Sequence, residues 1–235
     1  MNATGPPEID ALLVEWESVW LESLSLQVYD LHHRRQLHDE FMAMLDAQDH
    51  PDTDIFRDAF HRMYIEAQVM AIRRQADNDS RTLSLRRLIG QLEQHRLQFT
   101  RDWYVQRWLG DRNPNSPNER ERLEAQFHLD AANEAFQRFT DEPGGVHLGA
   151  RRLQDDRQQL LAITEAVVRY ANTTVAHAER EPENVTVTYA DFHGAVEHLG
   201  QMLRRYYLLI NQGGLMTATP TIQGDWKGPF RKPLA

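Results

Sequence analysis

Not one of the 235 residues is a cysteine, which excludes disulfides, thiolate metal sites, iron–sulfur clusters and a cysteine nucleophile. No apolar run approaches the ~20 residues that cross a bilayer, so no membrane association is expected. Residues 1–8 lack the basic and apolar regions of a secretory signal, and a cytoplasmic protein is expected. There is no Gly-rich phosphate loop, no His-Glu-x-x-His and no Gly-x-Ser-x-Gly, and neither metal nor cofactor is expected. Positive charge is the scarcer sign: 26 Lys and Arg face 35 Asp and Glu, a formal net charge of −9. That balance argues against broad binding to a phosphate backbone while leaving room for a local basic patch.

What the chain does have is helical periodicity. Ile9, Leu12, Leu13, Trp16, Val19, Trp20, Leu24, Val28, Leu31, Leu37, Phe41 and Leu45 recur at mostly three- and four-residue steps, predicting one long helix or two joined near residues 23–25. Trp16 and Trp20 read as core or a dimer seam. His32, His33 and His38, in the most polar part of that helix, read as solvated, as do His193 and His198 near the other end of the chain. A turn at Asp49-His50-Pro51-Asp52 precedes a helix capped by Thr53 or Asp54 and running to about residue 76. Ser84 opens a short amphipathic helix in which Leu85, Leu88, Ile89 and Leu92 face inward and Arg86 and Arg87 outward.

Residues 100–109 form a further helix stopped by Gly110, and 111–118 form the clearest loop. Ser116-Pro117-Asn118-Glu119 predicts a capping box with Ser116 at the N-cap and a helix reaching about Phe139. The next helix starts between residues 147 and 150 and places Leu153, Leu160, Thr164, Val167, Ala171, Thr174 and Ala178 along one stripe. Thr188, with Asp191 three residues on, caps the last helix, which runs to about Gly213. Residues 212–235 read as an irregular tail in which Trp226 and Phe230 suggest packing on the bundle. The expected fold is all-α, with strand confined to a few residues near 185–188.

A polar edge beside the apolar stripe of the penultimate helix is the functional candidate. Arg169 and His177 are eight residues apart, ~12 Å along the axis and ~80° around it, with Thr173 between them. The β-branched run Thr173-Thr174-Val175 weakens the helix and permits a bend. A sheltered His with an Arg nearby has the parts for proton transfer at neutral pH and for stabilising a developing anion, chemistry suited to metal-free cleavage of RNA by its own 2′-hydroxyl. Arg74 and Asp77, an i,i+3 pair at a helix end, either bridge each other or hold the following turn.

The tract Arg169…Asn172…Val175-Ala176-His177-Ala178-Glu179, followed by a polar gap and a helix ending Arg205-Tyr206-Tyr207-Leu208-Leu209, resembles the HEPN superfamily, in particular its abortive-infection AbiU2-like branch. Arg74-Gln75-Ala76-Asp77, a polar connector and Ser84-Leu85-Arg86-Arg87-Leu88 add to the resemblance, which spans about residues 53–211. It implies a HEPN-like helical bundle over 53–211, with an extra N-terminal helical region (1–52) packed on it and the irregular tail (212–235) after it. It also implies frequent dimerisation and, in active members, a ribonuclease whose Arg precedes its His by about five to seven positions. Here the spacing is eight and Tyr170 follows Arg169. On that resemblance His177, Arg169 and Asn172 are the catalytic candidates, and Arg74, Asp77 and Thr173 would contact substrate.

Two readings follow. One is a metal-independent endoribonuclease of a defence or toxin–antitoxin context, with RNA as substrate, a homodimeric state and an antitoxin or defence protein as partner. The other is a non-catalytic helical binding or dimerisation module carrying a degenerate motif.

Overall fold

Every regular element in the computed structural model, which describes residues 7–47, 53–176, 185–214 and 224–228, is a helix. Seven packed helices account for the fold, and no strand occurs among the described residues. Residues 185–188 are irregular, contrary to the strand allowed there, and Thr100 and His147 form only an isolated bridge. No described helix is long and apolar enough to cross a membrane.

The first helix is one rod: α1 (Pro7–Glu15) passes through a π-helical segment (Trp16–Leu21) into α2 (Glu22–Asp46) with helical backbone angles throughout. The break allowed near residues 23–25 is absent, and the irregularity lies one to two turns earlier. A π turn widens the helix by one residue and resets which side chains face inward. Trp16, Trp20 and Leu21 are all buried there. The indole of Trp16 donates to Gln91 Oε1 at 2.7 Å, and that of Trp20 to Glu15 Oε1 at 3.0 Å.

α3 (Thr53–Gln75) lies against α2 and α7, and α4 (Leu85–Gln94) lies against α7. Ser84 is the N-cap of α4, accepting from Arg87 N at 3.2 Å. Arg87 does not point away as expected: its guanidinium sits 5.2 Å from the Trp20 ring, a cation–π contact with the first rod. α5 (Arg101–Leu109), capped by Thr100, ends at Gly110, whose φ of 58° suits a residue without a Cβ. It forms a hairpin with α6 (Glu119–Gln137). The N-cap of α6 is Asn118, accepting from Arg120 N, two residues beyond the expected Ser116. Ser116 instead accepts from Asn118 N and donates to Glu121 at 2.7 Å, holding the approach to the helix.

α7 (Ala150–Tyr170) runs without interruption into a second π segment (Ala171–Ala176), at the β-branched run where the helix was expected to weaken. α8 (Tyr189–Asn211) begins with the expected capping box of Thr188 and Asp191 and ends at Gln212 in the left-handed region. One hydrophobic core joins all the rods. It takes Ile9, Trp16 and Leu24 from the first, Val69 and Ile72 from α3, Tyr104 and Phe136 from the hairpin, and Leu160, Val167, Leu203 and Tyr206 from α7 and α8. Each such fully buried large side chain contributes roughly 1.5–3 kcal/mol of transfer free energy. Trp226, half-buried, and Lys227 Nζ, 2.8 Å from Glu40 Oε2, tie residues 224–228 to α2, while Phe230 lies outside the described residues.

Candidate functional site

The candidate residues of α7 stand where the helix leaves α geometry and meets α3. Asn172 Oδ1 accepts from Arg73 Nε at 2.7 Å, across 99 positions of sequence. Thr173 turns back on its own helix, its hydroxyl donating to the Arg169 carbonyl at 3.0 Å. Arg169 is exposed. His177 lies outside the described residues.

On α3 the arginine that reaches this segment is Arg73, one residue before the Arg74 singled out from the sequence. Arg74 is exposed, and its charge, after burial, helps to hold the Arg34 guanidinium below its ordinary pKa. Asp77 holds the turn after α3: its carboxylate accepts from Asp79 N at 2.9 Å and its carbonyl from Ser84 Oγ at 2.6 Å. Of the six residues named from sequence, the structure thus ties Asn172 to α3, folds Thr173 onto Arg169 and gives Asp77 a turn.

Beside this seam is a cavity of about 270 Å³, lined by Asp58, His61, Arg62, Ile65 and Glu66 of α3 and by Tyr170, Thr174 and Val175 of α7. Positions 58, 61, 62, 65 and 66 share one helical face, so a single stretch of α3 supplies the whole charged wall. Sequence periodicity sets Ile55, Phe56, Phe60, Met63, Tyr64, Ala67, Met70 and Ala71 on the buried side of α3; of these only Tyr64 is buried, while Ile55, Phe56, Met63 and Ala67 are exposed, and the charged stripe is passed over.

His61 connects the cavity to a chain of rings behind it. Its Nδ1 is 3.1 Å from Nε2 of His38, whose Nδ1 is 3.2 Å from Asp39 Oδ1. An ionised Asp39 only accepts, which places the His38 proton on Nδ1 and makes His38 Nε2 the acceptor. His61 then donates through Nδ1 and keeps Nε2 as its acceptor; the Tyr189 hydroxyl lies against the ring edge, in contact with both nitrogens. His38 also stacks on Tyr64 with centroids 3.9 Å apart, and Tyr189 meets His193 edge-on at 6.0 Å. Helices α2, α3 and α8 therefore meet through three imidazoles and two phenols.

This corrects the solvated reading of the histidines. His38 is 5% and His32 3% exposed. Burial, the largest cause in both, pushes their pKa values down, against Asp39 for His38 and against Glu197 for His32. His193 and His198 are half-buried rather than on the surface, each with a buried Nε2 lacking a partner. Burial, followed by the Arg205 charge, lowers the pKa of His198. The sequence signal was available in part: His38 lies four residues after Arg34, seven after Leu31 and three before Phe41, on the buried face. Among the described residues no group of His, Asp and Glu has an arrangement that could hold a metal ion.

A second polar centre lies between α7 and α8. Asp156, 2% exposed, receives the Tyr206 hydroxyl at 2.8 Å and the Arg205 guanidinium at 2.5 Å, with Arg152 Nε at 3.8 Å. Burial and then the Asp156 charge raise the pKa of Tyr206 well above its usual value, keeping the phenol a donor. The Asp156 carboxylate of α7 is satisfied by Arg205 and Tyr206 of α8, the pattern of an internal strut, while the buried Arg152 Nε makes no hydrogen bond.

No protein family, curated protein or solved structure matches this chain.

Proposed function

We propose that this protein is a non-catalytic helical binding module that self-associates through α3. The carrying observation is the Arg73–Asn172 hydrogen bond: the polar residue at the heart of the candidate motif is spent on joining α3 to α7. Thr173, engaged with the Arg169 carbonyl, supports the same reading. The outer face of α3 supplies a surface for a second copy. Ile55 is 72%, Phe56 53% and Met63 60% exposed, with the small, exposed Ala59 and Ala67 on the same stripe. Packed antiparallel about a two-fold axis near Met63, that stripe sets Asp54 at one end against Arg74 at the other end of the partner.

The ribonuclease reading keeps one observation in its favour. Arg73 at the end of α3 reaches Asn172, and Arg74 next to it in sequence is close enough to Arg34 to lower its pKa, so guanidinium groups of the kind that stabilise a phosphorane stand at this end of α3. Metal-free incubation of the protein with RNA separates the readings. No cleavage is expected, and the His177→Ala variant should behave identically; cleavage abolished by that change would replace the binding module with an endoribonuclease. Light scattering should give twice the 27.4 kDa chain mass, reduced to a monomer by Met63→Glu. A wild-type monomer at micromolar concentration would remove self-association.

A further inference from the structure

We infer that the cavity between α3 and the end of α7 binds a small diamino carboxylic acid of the lysine or ornithine type. The cavity wall carries Asp58, Arg62 and Glu66 at steps of four residues, an acid–base–acid row with ~6 Å between neighbours along the helix axis. Residues four apart on a helix face one another and commonly pair. Here none of the three is engaged in an ion pair among the described residues, so all three charges remain available to a ligand.

The row selects its ligand by sign and order. An α-carboxylate fits the Arg62 fork, which takes a planar anion through two parallel N–H donors. The α-ammonium next to it meets one flanking carboxylate, and a side-chain ammonium at the far end of an aliphatic stem meets the other. Ile65 and Val175 offer the apolar lining for that stem, and the Tyr170 ring a face for an ammonium. With His61 neutral the wall carries one net negative charge, and a diamino acid carries one net positive charge. A volume of about 270 Å³, just below the usual range of ligand sites, suits a ligand the size of a free amino acid. A simple anion would meet two carboxylates for one guanidinium, and a diamine would leave Arg62 unanswered.

His61 adds a fixed element. Because the chain from Asp39 through His38 sets its tautomer, its one acceptor nitrogen is committed to the Tyr189 hydroxyl, and the ring stands as a fixed part of the cavity wall. This inference names a ligand for the binding reading. Its failure would leave cleavage and self-association, the tests of that reading, as they stand.

Calorimetric titration of the full chain with lysine, ornithine, leucine, glutamate and putrescine tests it. Lysine or ornithine should bind at least ~10-fold more tightly than each of the others, about 1.4 kcal/mol for the charge contact that each lacks. Arg62→Ala should abolish the preference over putrescine, and the double change Asp58→Asn with Glu66→Gln should abolish the preference over leucine. Circular dichroism should be unchanged in both, since all three side chains are exposed. Putrescine binding as well as lysine, lysine binding untouched in the Arg62→Ala chain, or no heat with any of the five would each overturn it.

Discussion

Burial sets the protonation of single side chains in this protein, and the histidines carry the consequence. His38 has its pKa held below the ordinary 6.5 chiefly by burial, and His32 and His198 follow for the same first reason. The unfolded chain therefore binds protons that the folded chain refuses. Stability is at its fullest above about pH 6.5 and falls as the pH drops below it, each tenfold gap in proton affinity being worth about 1.4 kcal/mol per group. Denaturant unfolding at pH 7.5 and 5.5 should show that fall, and His38→Gln should make it shallower; a stability independent of pH over this interval would contradict the burial. Asp156 is the opposite case, a buried carboxylate held between hydrogen-bond donors of α8. Asp156→Ala leaves Arg205 and the Tyr206 hydroxyl facing each other without an acceptor. A loss of about 3 kcal/mol is expected from chemical denaturation.

At the scale of the element, local signals with one reading were legible and those with two were not. Ser84 before Leu85 and the Thr188–Asp191 pair have no rival nearby, and both cap as expected. Ser116 competes with Asn118, an equally good cap two residues on, and the helix starts at the later one. The π segments carry no local signal beyond the β-branched run at residues 173–175, because the register that they correct is defined only by the neighbouring helices. The same holds for Arg73: nothing local separates it from Arg74 until Asn172 arrives from α7. That contact yields a prediction. In a double-mutant cycle of Arg73→Ala and Asn172→Ala, the coupling should be about 0.5–1.5 kcal/mol, the worth of one hydrogen bond. A coupling indistinguishable from zero would free Asn172 for other work and weaken the packing role assigned to it.

At the scale of the molecule, the periodicity of apolar residues announced the all-α class, because three- and four-residue spacing is a local property. The site was much less legible: His38, His61 and Tyr189 come from three helices, 23 and 128 positions apart in the pairs that touch, and no short pattern links them. The division into an N-terminal helical region and a separate bundle concerns the same scale. Ile9, Leu13, Trp16, Trp20, Leu21, Leu24, Val28 and Leu31 of the first rod belong to the core that also holds Ile72, Leu88, Leu160 and Leu203. Removing residues 1–52 would expose the inner faces of α3, α4 and α8 together, and the loss of eight buried large side chains, roughly 12–24 kcal/mol of transfer free energy, is as large as or larger than the ~5–15 kcal/mol by which whole domains are stable. The fragment 53–235 should therefore fail to give a cooperative melting transition by circular dichroism. A sharp transition in that fragment would show that the bundle folds on its own and that the first rod is an accessory to it.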